Sequence, residues 1–97
     1  MRISISVEAQ ADVQTALEWY LTESAFDAAE GFADEIERAL NLLVTFPEAG
    51  HPVGRGARVL TLPKFPYSII YRHTRDHLRV IAVAHHGRRP RYWSGRL

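Results

Sequence analysis

The chain ends in a cluster of side chains whose types and spacing could do chemistry on a phosphate. Two adjacent histidines, three closely spaced arginines and two aromatic residues fall within nine positions: His85, His86, Arg88, Arg89, Arg91, Tyr92 and Trp93. Histidine titrates near neutral pH and can donate or accept a proton. Arginine binds phosphate or carboxylate oxygens through paired hydrogen bonds, and aromatic rings stack on bases. The cluster is therefore suited to a nucleic-acid backbone or to an acidic protein surface.

One hypothesis for this cluster is metal-independent RNA cleavage. The reaction needs a base for the 2′-hydroxyl, an acid for the leaving oxygen, and cations for the charge that develops on the phosphate. The residues available for these roles are His85, His86, Arg89 and Tyr92. Neighbouring residues of a strand point to opposite faces, so only one of the two histidines normally reaches a given site. His86 also fits a capped histidine of the core, and the sequence leaves both interpretations open.

A second hypothesis is a binding surface that performs no reaction. Arginine and aromatic side chains are enriched among the residues that contribute most to protein interfaces. The residues expected to face a target are Arg88, Arg89, Arg91, Tyr92, Trp93 and Arg96. The two hypotheses together leave open whether the protein is an enzyme.

The residue types present predict no metal site and no cofactor. The chain has no cysteine, and Asp76 is the only acidic residue after position 48. The histidine pair therefore lacks the thiolate or carboxylate ligands that zinc sites often combine with histidine. The sequence also contains no glycine-rich phosphate loop and no motif that exposes a nucleophilic serine.

The length of the chain predicts one domain, residues 1–97, and the charged residues are distributed unequally between its two halves. No segment approaches the ~20 apolar residues of a membrane span, and the start lacks a secretory signal, so we expect a cytoplasmic protein. Residues 1–48 carry two arginines against ten acidic residues, whereas residues 49–97 carry ten lysines and arginines against one acidic residue. This split predicts an acidic surface on the first elements and a cationic surface on the later ones.

Hydrophobic periodicity divides the chain into four strands and two helices. A period of two predicts strands over 2–7, 58–62, 67–72 and 78–86, and a period of 3.6 predicts helices over about 9–23 and 25–46. Ser24 and Asp27 have the spacing of a capping box, and residues 47–56 are rich enough in proline and glycine to predict a mobile loop. The predicted fold is α+β: an N-terminal strand, a helical hairpin and a three-stranded antiparallel meander, with the helices on one face.

The central strands are apolar on both faces, which the predicted helices alone do not cover. Ile69 and Ile70 point to opposite faces, and Ile81 and Val83 occupy a face that alternation would make polar. An apolar sheet face left open to water needs a cover. Two covers are consistent with the sequence: the C-terminal tail folded back, or a partner chain.

Four segments of the chain resemble the RelE/ParE superfamily of toxins from type II toxin–antitoxin modules. They are VEAQADVQTALEWY, FPEAGHP, FPYSIIYRH and VIAVAHHGRRPRYW, which together span nearly the whole sequence. The resemblance implies a small antiparallel sheet with an N-terminal helical hairpin. It also implies a growth-inhibiting toxin of the plasmid-stabilisation type, neutralised by a cognate antitoxin. The residues expected to contact that antitoxin are Ile69, Ile70, Ile81 and Val83.

The resemblance favours the ParE-like branch, whose members inhibit DNA gyrase, over the RelE-like branch, whose members cut mRNA at the ribosome. RelE-like members carry an arginine where this chain has Ser68, and lysines where it has Val59 and Thr61. Arg89 does match the RelE-like pattern. Because this chain lacks most of the RelE-like cations, we expect it to inhibit DNA gyrase. The alternative is a ribosome-dependent mRNA endoribonuclease.

Overall fold

A computed structural model describes all residues, 1–97. Two helices follow a first strand, and four further strands and a short 3₁₀ helix complete the chain. The elements are β1 (Arg2–Ile5), α1 (Val7–Thr22), α2 (Phe26–Thr45), β2 (His51–Gly54), β3 (Ala57–Thr61), β4 (Tyr67–His73), β5 (His77–His85) and a 3₁₀ helix (Tyr92–Arg96). None of the helices is long and apolar enough to cross a membrane.

The strands form one mixed sheet in the order β1-β5-β4-β3-β2. The predicted α+β class with two helices is confirmed, but the predicted three-stranded meander is wrong. The antiparallel part has four strands, and β1 adds a fifth that runs parallel to β5 at the far edge. Parallel pairing of the first and last strands depends on how the helices return the chain across the sheet. Local alternation of residues does not reveal it.

Strand β2 lies within the segment predicted to be a mobile loop. It pairs antiparallel with β3, with an irregularity between Pro52 and Gly54. Pro52 is tolerated because β2 is an edge strand, which has no neighbouring strand on one side. Arg55 and Gly56 join the strands and both have positive φ (53° and 76°), as a two-residue hairpin turn of the primed type requires. The prolines and glycines therefore mark an irregular hairpin instead of a loop.

The helix starts also differ from those predicted. Ser6 caps α1, and its hydroxyl accepts a hydrogen bond from the backbone N–H of Ala9 at 3.0 Å, so the helix begins two residues early. Helix α2 has no side-chain cap, and the predicted capping box is wrong. Ser24 instead takes a left-handed conformation (φ 56°) in the tight turn between the helices, which removes it from the capping position.

The two faces of the sheet are buried in different ways. The helices cover one face, where Phe32, Leu43 and Tyr71 are among the largest fully buried side chains. The opposite face, called here the outer face, holds a smaller cluster built around Trp93 from the C-terminal tail. Its buried members are Ala57, Ile70, Ile81, Ala82, Ala84 and Trp93. Of the two covers that the sequence allowed, the tail is therefore the one present.

All four tyrosines have pKa values raised above the ordinary 10.0, chiefly because burial penalises the phenolate: Tyr20, Tyr67, Tyr71 and Tyr92. In the unfolded chain these phenols ionise near pH 10, whereas the folded chain retains their protons to higher pH. The folded state thus binds more protons above pH 10, and its stability falls as the pH rises through that range.

We therefore expect the melting temperature to drop steeply above about pH 10. The melting temperature is measured at each pH, and phenolate formation is followed in the same samples by near-ultraviolet absorbance. Phenolate should appear only as the chain unfolds. Four phenols that ionise near pH 10 in a chain that stays folded would contradict this expectation.

Candidate functional site

The tail leaves the sheet through a tight turn at the end of β5. The N–H of Arg88 donates to the carbonyl of His85 at 3.1 Å, and the N–H of His86 donates to the carbonyl of Pro66 at 2.8 Å. Gly87 lies against the His85 ring, where an added Cβ would approach ring atoms to 2.9 Å. A side chain at position 87 would therefore displace the ring, which explains a glycine at this turn.

Two anchors then fasten the tail to the domain. Trp93, only 6% exposed, packs into the outer-face cluster. Arg96 makes two hydrogen bonds to the Asp12 carboxylate of α1, at 2.7 and 3.2 Å, and a third to the Ile81 carbonyl at 3.2 Å. The hydrogen bond to Asp12 raises the pKa of Arg96, although burial opposes the rise. Asp12 also accepts from the backbone N–H of Val83 at 3.0 Å, so one carboxylate ties helix, sheet and tail together.

The two histidines contact opposite faces of the sheet, as their adjacency predicted. His85 packs edge-on against Tyr67 on the helix side, with ring centroids 5.0 Å apart, and its Nδ1 accepts from the Gly87 N–H at 2.8 Å. His86 lies on the outer face, where its Nε2 is 2.8 Å from the hydroxyl oxygen of Ser68. The Ser68 hydroxyl also lies 3.3 Å from Thr61 Oγ1, so it links the His86 ring to strand β3.

Three arginines of the tail are exposed and carry no counter-charge. The two ion pairs of the chain join Arg38 to Glu35 and Arg96 to Asp12, so Arg88, Arg89 and Arg91 have no acidic partner. Two of them lie over aromatic rings: Arg88 is 4.0 Å from the centroid of Tyr92, and Arg91 is 5.3 Å from that of Trp93. These cation–π contacts hold the guanidinium groups in place without cancelling their charge.

The nuclease candidates border one shallow depression of about 180 Å³: His85, His86, Arg89 and Tyr92. Burial, followed by the charge of Asp12, raises the pKa of Tyr92, so its phenol stays protonated at neutral pH and is a poor base. Only a histidine remains as a proton acceptor, and His86 already shares one ring nitrogen with Ser68. The depression is smaller than the roughly 300–1,000 Å³ of ligand pockets. The arrangement is therefore better suited to binding an anionic partner than to acid–base catalysis.

The predicted target-facing residues divide into two groups. Arg88, Arg89 and Arg91 are exposed, whereas Trp93 is buried and Arg96 is bound to Asp12. Tyr92 is half-buried beneath Arg88. Trp93 and Arg96 therefore hold the surface in place, and the exposed arginines form it. Sequence patterns gave no signal for Asp12, whose partners lie 71 and 84 residues away.

The four residues expected to contact an antitoxin are all buried within this chain: Ile69, Ile70, Ile81 and Val83. Ile69 and Val83 face the helices, and Ile70 and Ile81 lie beneath the tail. The apolar side chains that remain open to solvent are mostly on the helices and were not singled out from the sequence. The large ones are Met1, Val7, Trp19, Leu21, Phe26, Leu42, Val44 and Phe46.

A larger cavity of about 450 Å³ opens between α1, the end of the sheet and the tail. Its walls include the rings of Trp19, Tyr20, Tyr67 and Tyr92, and Arg88 lies at its border. Trp19 is 58% exposed, so the cavity continues into the apolar surface at the end of α1. The exposed arginines thus adjoin an aromatic recess.

Two helices on one face of a five-stranded sheet, with an arginine-rich tail anchored across the other, define a small α+β protein that presents a cationic surface. Residues 3–90 match the family described as ParE toxin of type II toxin-antitoxin system, parDE. The chain belongs to this family of toxins, and the expected ParE-like branch of the superfamily is confirmed. Membership in a toxin–antitoxin system also implies an antitoxin partner.

The fold is similar to that of a solved chain from the chromosomal ParDE toxin–antitoxin system of P. aeruginosa. The two share 23% sequence identity with a TM-score of 0.76, and the match covers 88% of this chain and 95% of that one. At this level of identity the similarity concerns the fold alone. No curated protein matches the sequence.

Proposed function

We propose that this protein inhibits growth in the cytoplasm by binding DNA gyrase through the exposed arginines of its tail, and that a cognate antitoxin neutralises it. The observation that carries the proposal is the set of three unpaired cations on an anchored segment: Arg88, Arg89 and Arg91. Because Trp93 and Arg96 fix the segment, little backbone entropy is lost when a target binds these arginines. Family membership supports the proposal independently.

The antitoxin is proposed to bind the apolar surface that the chain leaves open. Trp19, Leu21 and Phe26 lie close in sequence around the helical turn, and each is about half exposed or more. Aromatic side chains in such a position are suited to anchor a partner. The predicted contacts at Ile70 and Ile81 require that the tail first leave the outer face. Those at Ile69 and Val83 require that the helices separate from the sheet.

The test is a supercoiling assay with purified DNA gyrase, combined with induction of the toxin in growing cells. The unaltered chain should inhibit supercoiling and leave mRNA intact. Arg88→Ala and Arg89→Ala should each weaken inhibition by about 30-fold or more, the factor expected for an interface residue worth about 2 kcal/mol. Arg75→Ala is the matched control, because Arg75 is an exposed arginine in the β4–β5 turn. It should inhibit like the unaltered chain.

Two results would overturn the proposal. Full activity of both tail variants would exclude the tail as the target-binding surface. Rapid, translation-dependent mRNA cleavage, lost on His85→Ala or His86→Ala, would instead identify the RelE-like nuclease. A general acid or base contributes about 10²–10⁴-fold, so under that alternative a histidine variant should lose nearly all activity.

A further inference from the structure

The half of the outer face that the tail leaves uncovered carries a row of basic side chains on three neighbouring strands. Arg79 lies directly opposite Ser4 of β1 on one side and opposite Arg72 of β4 on the other. Arg2 and His77 form the adjacent opposed pair, two residues away on the same face. We call Arg2, Arg72, His77 and Arg79 the arginine row. It lies across the sheet from the helices, because Ile3 and its opposed partner Leu78 pack into the helix-side core.

The charges of the arginine row are held in place but not neutralised. Arg79 donates to the Ser4 hydroxyl at 3.0 Å, and Nε of Arg72 donates to the Arg55 carbonyl at 3.0 Å. Both acceptors are uncharged, and neither of the chain's two ion pairs involves the row. Like charges directly opposite each other on neighbouring strands destabilise a sheet. A surface that retains such a pair is suited to a ligand that supplies the missing negative charge.

We propose that the arginine row binds the phosphate backbone of a nucleic-acid duplex without reading its sequence. Arginine is among the side chains that contact phosphates, and its guanidinium can bind phosphate oxygens through paired hydrogen bonds. A single strand would need aromatic platforms for its bases, and an acidic protein would need an apolar anchor at the centre of the contact. The row offers neither, since Met1 at the chain start is the only large exposed apolar residue nearby. A duplex backbone requires only regularly placed cations.

The test measures binding of the full chain to a short duplex DNA of arbitrary sequence by fluorescence anisotropy, from about 20 to 150 mM salt. Three arginine–phosphate contacts predict a slope of log affinity against log salt of about −3. The double variant Arg72→Gln/Arg79→Gln removes two contacts, so the slope should flatten to about −1 and the affinity fall at least about 50-fold. Arg72→Lys/Arg79→Lys keeps both charges and should keep the slope.

The matched control is Arg88→Gln/Arg89→Gln, which removes the same charge from the tail and should leave the slope near −3. Circular dichroism and thermal melts establish whether each variant is folded. If Arg72→Gln/Arg79→Gln does not fold, the proposal is judged from the slopes of the unaltered chain and of the lysine variant. Duplex RNA should bind as duplex DNA does, whereas a single strand and a poly-glutamate peptide should bind at least tenfold more weakly. Preferred binding of poly-glutamate, or loss of the slope in the tail variant alone, would overturn the proposal. The assay contains no gyrase, so its outcome is independent of the proposed target.

Discussion

Replacing Trp93 by alanine is expected to lower the free energy of unfolding by about 3–5 kcal/mol, the usual cost of truncating a buried aromatic side chain. The indole packs with Ile70, Ile81 and Ala82 on the outer face, and it is the only ring among the buried members of that cluster. A domain of this size has a total stability of about 5–15 kcal/mol. The melting temperature should therefore fall by about 15–30 °C, measured by circular dichroism.

The chain supplies its own control, because its second tryptophan is exposed. Trp19→Ala removes the same side chain from the surface of α1, where Trp19 contacts Tyr20 edge-on with ring centroids 5.2 Å apart. The expected cost is below about 1 kcal/mol. Equal losses for the two variants would mean that the tail does not cover the sheet in solution. Trp93→Ala should also weaken growth inhibition, since the arginines of the tail would no longer be held in place.

Replacing Asp12 by asparagine is expected to cost about 2–3 kcal/mol and to lower the melting temperature by about 10–20 °C. The change leaves the Arg96 guanidinium without a counter-charge while the side chain of Asp12 keeps its size. Breaking a fully buried ion pair costs about 3–5 kcal/mol, and this pair is slightly exposed (22% for Arg96 and 14% for Asp12), so the expected cost is lower.

A double-mutant cycle isolates the contact between Asp12 and Arg96. If the ion pair fastens the tail, Asp12→Asn and Arg96→Ala should show a coupling energy above about 1 kcal/mol when combined. Glu18→Gln is the matched control, because Glu18 is an acidic residue of the same helix that bonds only Gln14. It should change stability by less than about 0.5 kcal/mol. Strictly additive effects of the Asp12 and Arg96 variants would contradict the proposed anchor.

The parts of the fold that could be predicted from the sequence are those that follow from local hydrophobic periodicity. The turn at residues 74–76, the strands on either side of it and the long second helix follow from alternation, 3.6-residue spacing and polar breaks. The opposite directions of His85 and His86 follow from the same alternation. The exposed arginines of the tail could also be predicted, because charged side chains close together in sequence rarely all find buried partners.

Contacts between residues far apart in sequence decided the rest. The tail, and not a partner chain, covers the outer face because Trp93 reaches Ile70 and because Arg96 meets a carboxylate 84 residues earlier. The arginine row likewise depends on strands that meet only in the fold, with Ser4 beside Arg79 across 75 positions. The sequence alone determined which side chains are available and how they alternate. Which of them become anchors and which remain free charges depended on the tertiary structure, because burial and ion pairing are set by neighbours that local periodicity does not specify.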